Sequence, residues 1–441
     1  MEQDECILSD QVRTNGGTTT ATFSAAGQLR WDDHRLDIEK QVLGFSVDGL
    51  KIKFRAVAEA EAGICCCTSK SALIRKTFTL ELLSSDSLRI WTEKLQDYLD
   101  SLGRPRRLFI FVNPYGGKKS ASKIFQNDVK PLLDDASVEY TVQETKHQLH
   151  AKEVVQTLDL AKFDGIVCVS GDGILVEVLN GLLIREDWEK AIRIPLGAVP
   201  AGTGNGMAKS LLDSHGEPCA ASNAALFIIR GHKCSLDIAT ISQGETRFFS
   251  MLMLAWGLVA DIDIESEKYR WMGSARLDFY GLQRIFGLRR DPAYGYQGPN
   301  VDIKSLNWRM IDGPFVSVWL HNVPWGAEDT KAAPDAEFSD GCLDLIMIKE
   351  TPKLPLLKLM TELNSGGHVK SPYVSYLKVK AFILQPGPRT DDPTKSGIID
   401  VDGEVLARGS GAYKCEEDTL MRYDRLLIRV DQGLATLFTP H

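Results

Sequence analysis

The sequence contains no run of about eighteen apolar residues, so no bilayer-spanning helix is expected. Its acidic N-terminus, MEQDECILSD, lacks the apolar core of a signal segment. Nine cysteines are present (Cys6, Cys65, Cys66, Cys67, Cys168, Cys219, Cys234, Cys342 and Cys415), yet no two Cys-x-x-Cys pairs and no histidine cluster complete a zinc site. The consecutive Cys65, Cys66 and Cys67 are poor geometry for one tetrahedral metal. The expectation is a reduced, cytoplasmic protein with partly buried thiols, S-acylation of the triplet being the alternative. Positive charge is also short. Against 59 Asp and Glu stand 51 Lys and Arg, leaving a formal charge of -8, which argues against a nucleic-acid partner but not against a local basic pocket. The full GxxxxGK[ST] loop is missing too, which disfavours a P-loop ATPase.

What is there suits a soluble globular protein of two or three domains: 441 residues, 44% hydrophobic and 25% charged. Residues 1–25 are polar, with NGGTTT among them, and are expected to form a disordered tail. Residues 26–103 alternate apolar and polar positions in short pieces (QLRW, QVLGFSV, KIKFRAVAEA, LIRKTFTLELL), the pattern of half-buried strands. They end in SSDSLRIWTEKLQDYLDSL, where Leu88, Trp91, Leu95, Tyr98 and Leu102 recur at helical spacing behind capping serines. A small β-rich module closed by one helix is predicted. After the basic GRPRR, residues 104–231 alternate strand-like and helix-like segments, which predicts a mostly parallel sheet covered by helices, with ligands at the strands' carboxyl ends. Residues 232–441 are richer in strands and predict an antiparallel, sandwich-like domain whose last segment packs back on the α/β part. GAEDTKAAPDAEFSDG and QPGPRTDDPTKSG are expected as exposed loops. There is no internal repeat.

Three glycine turns follow apolar strands within about a hundred residues. In RLFIFVNPYGGKKSA, Asn113 and Pro114 end a strand, and Gly116 and Gly117 can take backbone angles closed to other residues. Successive N–H groups in such a turn cradle phosphate oxygens, with help from Lys118 and Lys119. In SGDGILVEVLNG, Gly171 and Gly173 bracket Asp172. Its carboxylate is placed to orient or deprotonate an acceptor hydroxyl in phosphoryl transfer, or simply to cap the next helix. Glu177 and Asn180 follow in that helix with roles left open. In PAGTGNGMAK, Gly202, Thr203, Gly204, Asn205 and Gly206 form a third turn. Any one of these is weak evidence. Three of them can converge on one strand-end crevice.

As a set, NPYGG, SGDG with EVLNG, and GTGNG resembles the diacylglycerol-kinase catalytic family, most closely the sphingosine kinases and plant-type members among them. LAWGLVADIDIESEKYRWMGSAR at 254–276 and DVDGE at 400–404 extend the resemblance, which covers roughly 105–435. The N-terminal module resembles the pleckstrin-homology-like segment of ceramide kinases. The implied architecture is an α/β nucleotide-binding domain and an antiparallel β-sandwich-like lipid-binding domain behind that module. By resemblance, Asp172 activates the lipid's primary hydroxyl, and Asp263 contacts the amino-alcohol head group with Asp261 and Glu265 nearby. Arg270 and Arg276 reach the nucleotide phosphates. Asn113, Gly116, Gly117, Gly171, Gly173, Gly202, Thr203 and Gly204 cradle the nucleotide, and Thr145 lies near the adenine. Glu404, beside Asp402, is linked to magnesium. The implied cofactors are ATP and Mg2+, and the implied partners are a sphingoid base and a peripheral membrane surface, with a homodimer and a vacuolar or other endomembrane location as further expectations.

One departure stands out. Some sphingosine kinases have a serine two residues before the alanine of LAWG, where this chain has Met253, which donates no hydroxyl hydrogen bond. The preferred long-chain base is therefore left open. Leu252, Leu254, Trp256, Leu258 and Val259 are candidates for an apolar tail channel. Leu282, Ile285 and Phe286, with Arg284, Arg289 and Arg290, form a candidate membrane lid. Ceramide kinase, diacylglycerol kinase, NAD kinase and an inactive lipid-binding regulator are the competing readings.

Overall fold

The computed structural model describes residues 5–14, 16–59, 73–117, 119–260, 295–305, 307–390, 392–412, 414 and 418–440. The described residues form three sheets. The first is antiparallel and runs β4-β3-β2-β1-β7-β6-β5. It comprises β1 (Cys6–Thr14), β2 (Gly17–Ser24), β3 (Gln28–Trp31), β4 (His34–Asp37), β5 (Val42–Asp48), β6 (Lys51–Glu59) and β7 (Leu73–Leu82), with the short helix α1 (Ile38–Gln41) before β5. Helix α2 (Ser85–Ser101) closes it. Ser84 caps this helix by accepting from the Ser87 N–H at 3.1 Å. Trp91 and Leu95 on its inner face pack against Phe23, Leu29 and Phe54.

Much of the tail expected at 1–25 is therefore structured: β1 and β2 form a hairpin in the middle of this sheet. Val12, Ala21 and Phe23 are buried, while the threonines that make the segment look polar lie mostly on its other face. Threonine is β-branched and suits a half-buried strand. The GRPRR stretch is also more than a connector. The Arg104 guanidinium donates to the carbonyls of Ile38, Glu39, Val42 and Leu43, pinning the N-terminal module to the segment that leads into the second sheet. Burial pulls its pKa down to about 10.

The second sheet begins with four parallel strands, β8 (Arg107–Val112), β9 (Glu139–Glu144), β10 (Gly165–Ser170) and β11 (Leu196–Pro200). Their crossovers are α3 (Ala121–Ile124), α4 (Lys130–Asp135), α5 (His150–Thr157), α6 (Asp172–Leu183) and α7 (Trp188–Ala191), with α8 (Gly206–Asp213) and α9 (Ala221–Arg230) after β11. β8 and β10 are apolar without alternation because helices cover both faces. The sheet does not stop at residue 231. β12 (Lys233–Gln243), β13 (Thr246–Ser250), β18 (Ala381–Leu384) and β21 (Leu426–Phe438) continue it, with β21 inserted between β11 and β12.

The third sheet is antiparallel, in the order β17-β16-β15-β14-β19-β20. Its strands are β14 (Met253–Gly257), β15 (Phe315–His321), β16 (Leu343–Lys349), β17 (Val374–Val379), β19 (Ile398–Val401) and β20 (Glu404–Arg408), and α10 (Lys353–Thr361) connects β16 towards β17. One face, with Leu254, Val318, Leu320 and Leu345, packs on Ala239, Ile241, Ile428 and Val430 of the second sheet as a sandwich. The other face carries Ala255, Trp319 and Ile346. Part of the GAEDTKAAPDAE segment lies on that face rather than standing exposed: Ala332 and Ala333 are fully buried against it. Their small side chains let the backbone lie close to the sheet.

Candidate active site

The three glycine turns meet. Each leaves the carboxyl end of a parallel strand, and two backbone bonds join neighbouring exits: Asn113 N–H to Val169 O (3.2 Å) and Ala201 N–H to Ser170 O (3.1 Å). The Asn113 side-chain oxygen accepts from the Tyr115 and Gly116 N–H groups at 3.0 and 3.2 Å, shaping the first turn. Gly117 has φ +53°, and a β-carbon there would lie 2.9 Å from the Gly202 carbonyl carbon. A β-carbon on Gly202 would lie 2.3 Å from the Gly171 α-carbon. The turns thus touch through their glycines, and no larger residue fits between them.

Asp172 opens α6 at the centre of this crevice. Its carboxylate accepts from the Gly206 N–H at 2.7 Å and the Met207 N–H at 3.1 Å, the first amides of α8. Its own N–H donates to Gly204 O at 3.1 Å. The group is thus aimed across the crevice at the third turn as well as opening its own helix. Burial raises its pKa to about 6, against the pull of the two N–H donors, and the charges of Asp402 and Glu328 add to the rise. A carboxylate so placed is ionised near neutrality and basic enough to take a proton.

Glu328 is a residue that sequence reasoning missed. It accepts from the Asn205 side-chain amide at 2.6 Å, and the Asn205 oxygen accepts from Gly202 N–H at 3.0 Å. Asn205 is 3% exposed. The loop carrying Glu328 is clamped onto α8: the Trp325 indole N–H donates to Asp213, and its ring lies under Lys209 and Lys331. The loop therefore holds the third turn in shape from the far side. Replacing Glu328 by Ala is expected to raise the KM for the phosphate donor roughly three- to tenfold, while Glu328→Gln keeps most of the affinity. Steady-state kinetics of both variants check this; equal losses in the two would reject the hydrogen bond as the cause.

DVDGE forms a two-residue hairpin between β19 and β20. Asp402 and Gly403 both have positive φ (54° and 83°), as a type I′ turn requires. The buried Asp402 carboxylate accepts from the Ser250 hydroxyl and from the N–H groups of Met251, Leu252 and Met253. It fixes the start of β14, a role no spacing argument could find. Met253 stands opposite His321 across β14 and β15, next to Gly326. Burial, with His368 nearby, drives the His321 pKa down to about 3, so its ring is neutral.

The other expected residues that the structure describes lie in several elements. Thr145 is buried just beyond β9, its N–H bonded to Val112 O at 2.9 Å. Gly173 has open space above its α-carbon, and Thr203 lies in the third turn. Glu404 is half-buried at the start of β20. Glu177 accepts from the Ala151 N–H at the start of α5, and Asn180 exchanges hydrogen bonds with the backbone of Phe249, so both tie α6 to its neighbours. Among the tail candidates, Leu252 belongs to the core under α5 and α6 on the second sheet and Leu254 to the core between the second and third sheets, whereas Val259 joins the apolar cluster on the third sheet's outer face. Lys118, Asp261, Asp263, Glu265, Arg270, Arg276 and the lid at 282–290 lie outside the described residues.

Comparison with known proteins bears on the family and the fold. Residues 107–241 match the diacylglycerol kinase catalytic domain, and residues 303–421 match the YegS C-terminal NAD kinase beta sandwich-like domain. Sphingosine kinase 1 of Arabidopsis thaliana is 56% identical over 477 aligned residues, covering 100% of this chain and 98% of that protein. Sphingosine kinase 1 of Homo sapiens is 32% identical, over 69% of this chain and 87% of its own. A solved structure from Bacillus anthracis str. Sterne shares the fold, with TM-score 0.52 and 19% identity over 76% of this chain and 96% of its own.

Proposed function

Because the chain belongs to the sphingosine kinases, within the diacylglycerol-kinase catalytic family, we propose that it transfers the terminal phosphate of ATP to the primary hydroxyl of a sphingoid long-chain base, giving the 1-phosphate and ADP. The observation that carries this reading is the convergence of three strand-end turns on Asp172. N–H groups of the turns at 113–117, 171–173 and 202–204 bind the phosphates. Asp172 receives the hydroxyl proton as the oxygen attacks the terminal phosphorus. The Gly206 and Met207 N–H groups keep that carboxylate in place.

The residues fit a magnesium ion that is carried mainly by the nucleotide. No three metal-type side chains cluster among the described residues, and such an ion needs only one or two protein carboxylates beside the phosphates. Of the two sequence candidates, Asp402 has its oxygens committed to four donors, and Glu404 at the start of β20 is the residue proposed beside the ion. Bound there, magnesium would offset phosphate charge during transfer.

On the acceptor side, the acidic stretch at 261–265 supports a cationic amino lipid over uncharged ceramide or diacylglycerol. No helix among the described residues is long and apolar enough to cross a membrane. The tail of a sphingoid base holds it in a bilayer, and contact with the bilayer surface gives the enzyme access to it.

A pH profile tests the role of Asp172. Its raised pKa means that the basic form is lost as pH falls through about 6. The rate with ATP, magnesium and sphingosine is expected to drop about tenfold per pH unit below that point. A flat profile down to about pH 4.5 would contradict a base of this strength.

A further inference from the structure

Helix α10 is apolar on both sides. Leu359 points inward and is buried, while Leu354 and Leu357 are 80% and 63% exposed. Residues three and four apart share a helix face, so Leu354, Leu357 and Lys358 form one outward stripe, with Lys353 at its border. A surface helix usually keeps such a stripe polar; outward leucines call for a partner. Three further groups stand nearby. Lys349 is exposed at the end of β16, four residues before α10. Tyr373 is exposed just before Val374, which pairs with Ile348 near that same strand end. Lys370 is exposed shortly before them. Acidic groups are fewer: Glu350 is exposed, and Glu362 forms a 3.5 Å surface pair with Lys358. Leucines and a tyrosine among lysines match a surface that is apolar inside and anionic outside.

The inner side of the same element supports this. Leu363, just beyond the end of α10, packs on the cluster of Ala255, Val259, Trp319, Ala332 and Ala333. The outward stripe therefore sits on an element whose inner side is anchored in the third sheet's apolar outer face. We propose that α10 and the adjoining strand ends of β16 and β17 are a membrane-docking surface whose partner is an anionic lipid bilayer, Leu354 and Leu357 entering the acyl boundary and Lys349, Lys353, Lys358 and Lys370 resting among the headgroups. This rests on the reading of the enzyme as a lipid kinase, because a membrane-borne acceptor requires the enzyme to reach the bilayer surface. Insertion buries apolar area, and the lysines add attraction to negative headgroups that falls with salt.

The test uses the full chain, with vesicles of phosphatidylcholine alone and with added phosphatidylserine. The wild type is expected to co-sediment with the anionic vesicles. Leu354→Ser with Leu357→Ser should weaken that binding at least tenfold. Lys353→Glu with Lys358→Glu, which leaves the apolar stripe intact, should weaken it severalfold and remove much of its salt dependence. All should still phosphorylate sphingosine in detergent mixed micelles, where docking on a bilayer is not required; that activity also shows the variants are folded. Unchanged vesicle binding in both variants would overturn the proposal. So would equal wild-type binding to neutral and anionic vesicles, or a wild-type dimer that the leucine variant converts to monomer. Loss of micelle activity in the wild type would instead sink the kinase reading and leave the vesicle result standing on its own.

Discussion

Replacing Asp172 by Asn is expected to lower turnover about 10²- to 10⁴-fold while leaving ATP binding within about threefold. The side chain keeps its size. It loses the ability to take a proton, and its amide nitrogen must face one of the two N–H donors, Gly206 or Met207, that the carboxylate now satisfies. The lost hydrogen bond costs about 1 kcal/mol, which is small beside the catalytic loss. Rapid-quench phosphotransfer and a separate nucleotide titration divide the two effects. A variant that turns over normally would show that the carboxylate only caps and clamps. A variant that no longer binds ATP would show that its main task is to hold the third turn.

Gly202→Ala is expected to abolish nucleotide binding. The added carbon would sit 2.3 Å from the Gly171 α-carbon and 2.5 Å from its nitrogen, distances at which backbone must move. Moving it separates the second and third turns and breaks the crevice in which the phosphates lie. Gly173→Ala is the matched control, because its β-carbon would meet nothing within 4 Å. The fold should accept it, and any rise in its KM for ATP reports a phosphate passing over that position. Binding measured by isothermal titration should fall below detection for Gly202→Ala, with a melting temperature a few degrees lower. Wild-type affinity in that variant would mean that the turns are not held in the contact described.

Much of the site was legible in the sequence because its chemistry is local. Asn113, Gly117, Gly171 and Gly202 each sit where an apolar strand ends, and backbone freedom at a turn leaves a mark in composition. The parallel strands β8 and β10 were legible for the same reason: buried on both faces, they read as unbroken apolar runs. The N-terminal hairpin was not, since threonines on an outward face look like those of a loop until Val12 and Phe23 are seen to pack beneath the sheet. The buried alanines 332 and 333 misled in the same way. Long-range polar contacts carried no signal. Glu328 reaches Asn205 across 123 positions, and Asp402 reaches Ser250 across 152. That the last segment packs back on the α/β part was expected, but its place was not legible: β21 fills the gap between β11 and β12, and its pairing with β11 joins segments more than two hundred positions apart.

The central claim is that this crevice passes phosphate to an amino lipid. One assay bears on it most directly: purified protein, ATP and magnesium, with sphingosine, ceramide and diacylglycerol offered side by side in the same micelles. Phosphate is expected on sphingosine, at least tenfold faster than on either of the others, and at least about a hundredfold more slowly with Asp172→Asn. Phosphorylation of ceramide or diacylglycerol alone would contradict the acceptor assignment, and no transfer to any of the three would contradict the enzyme.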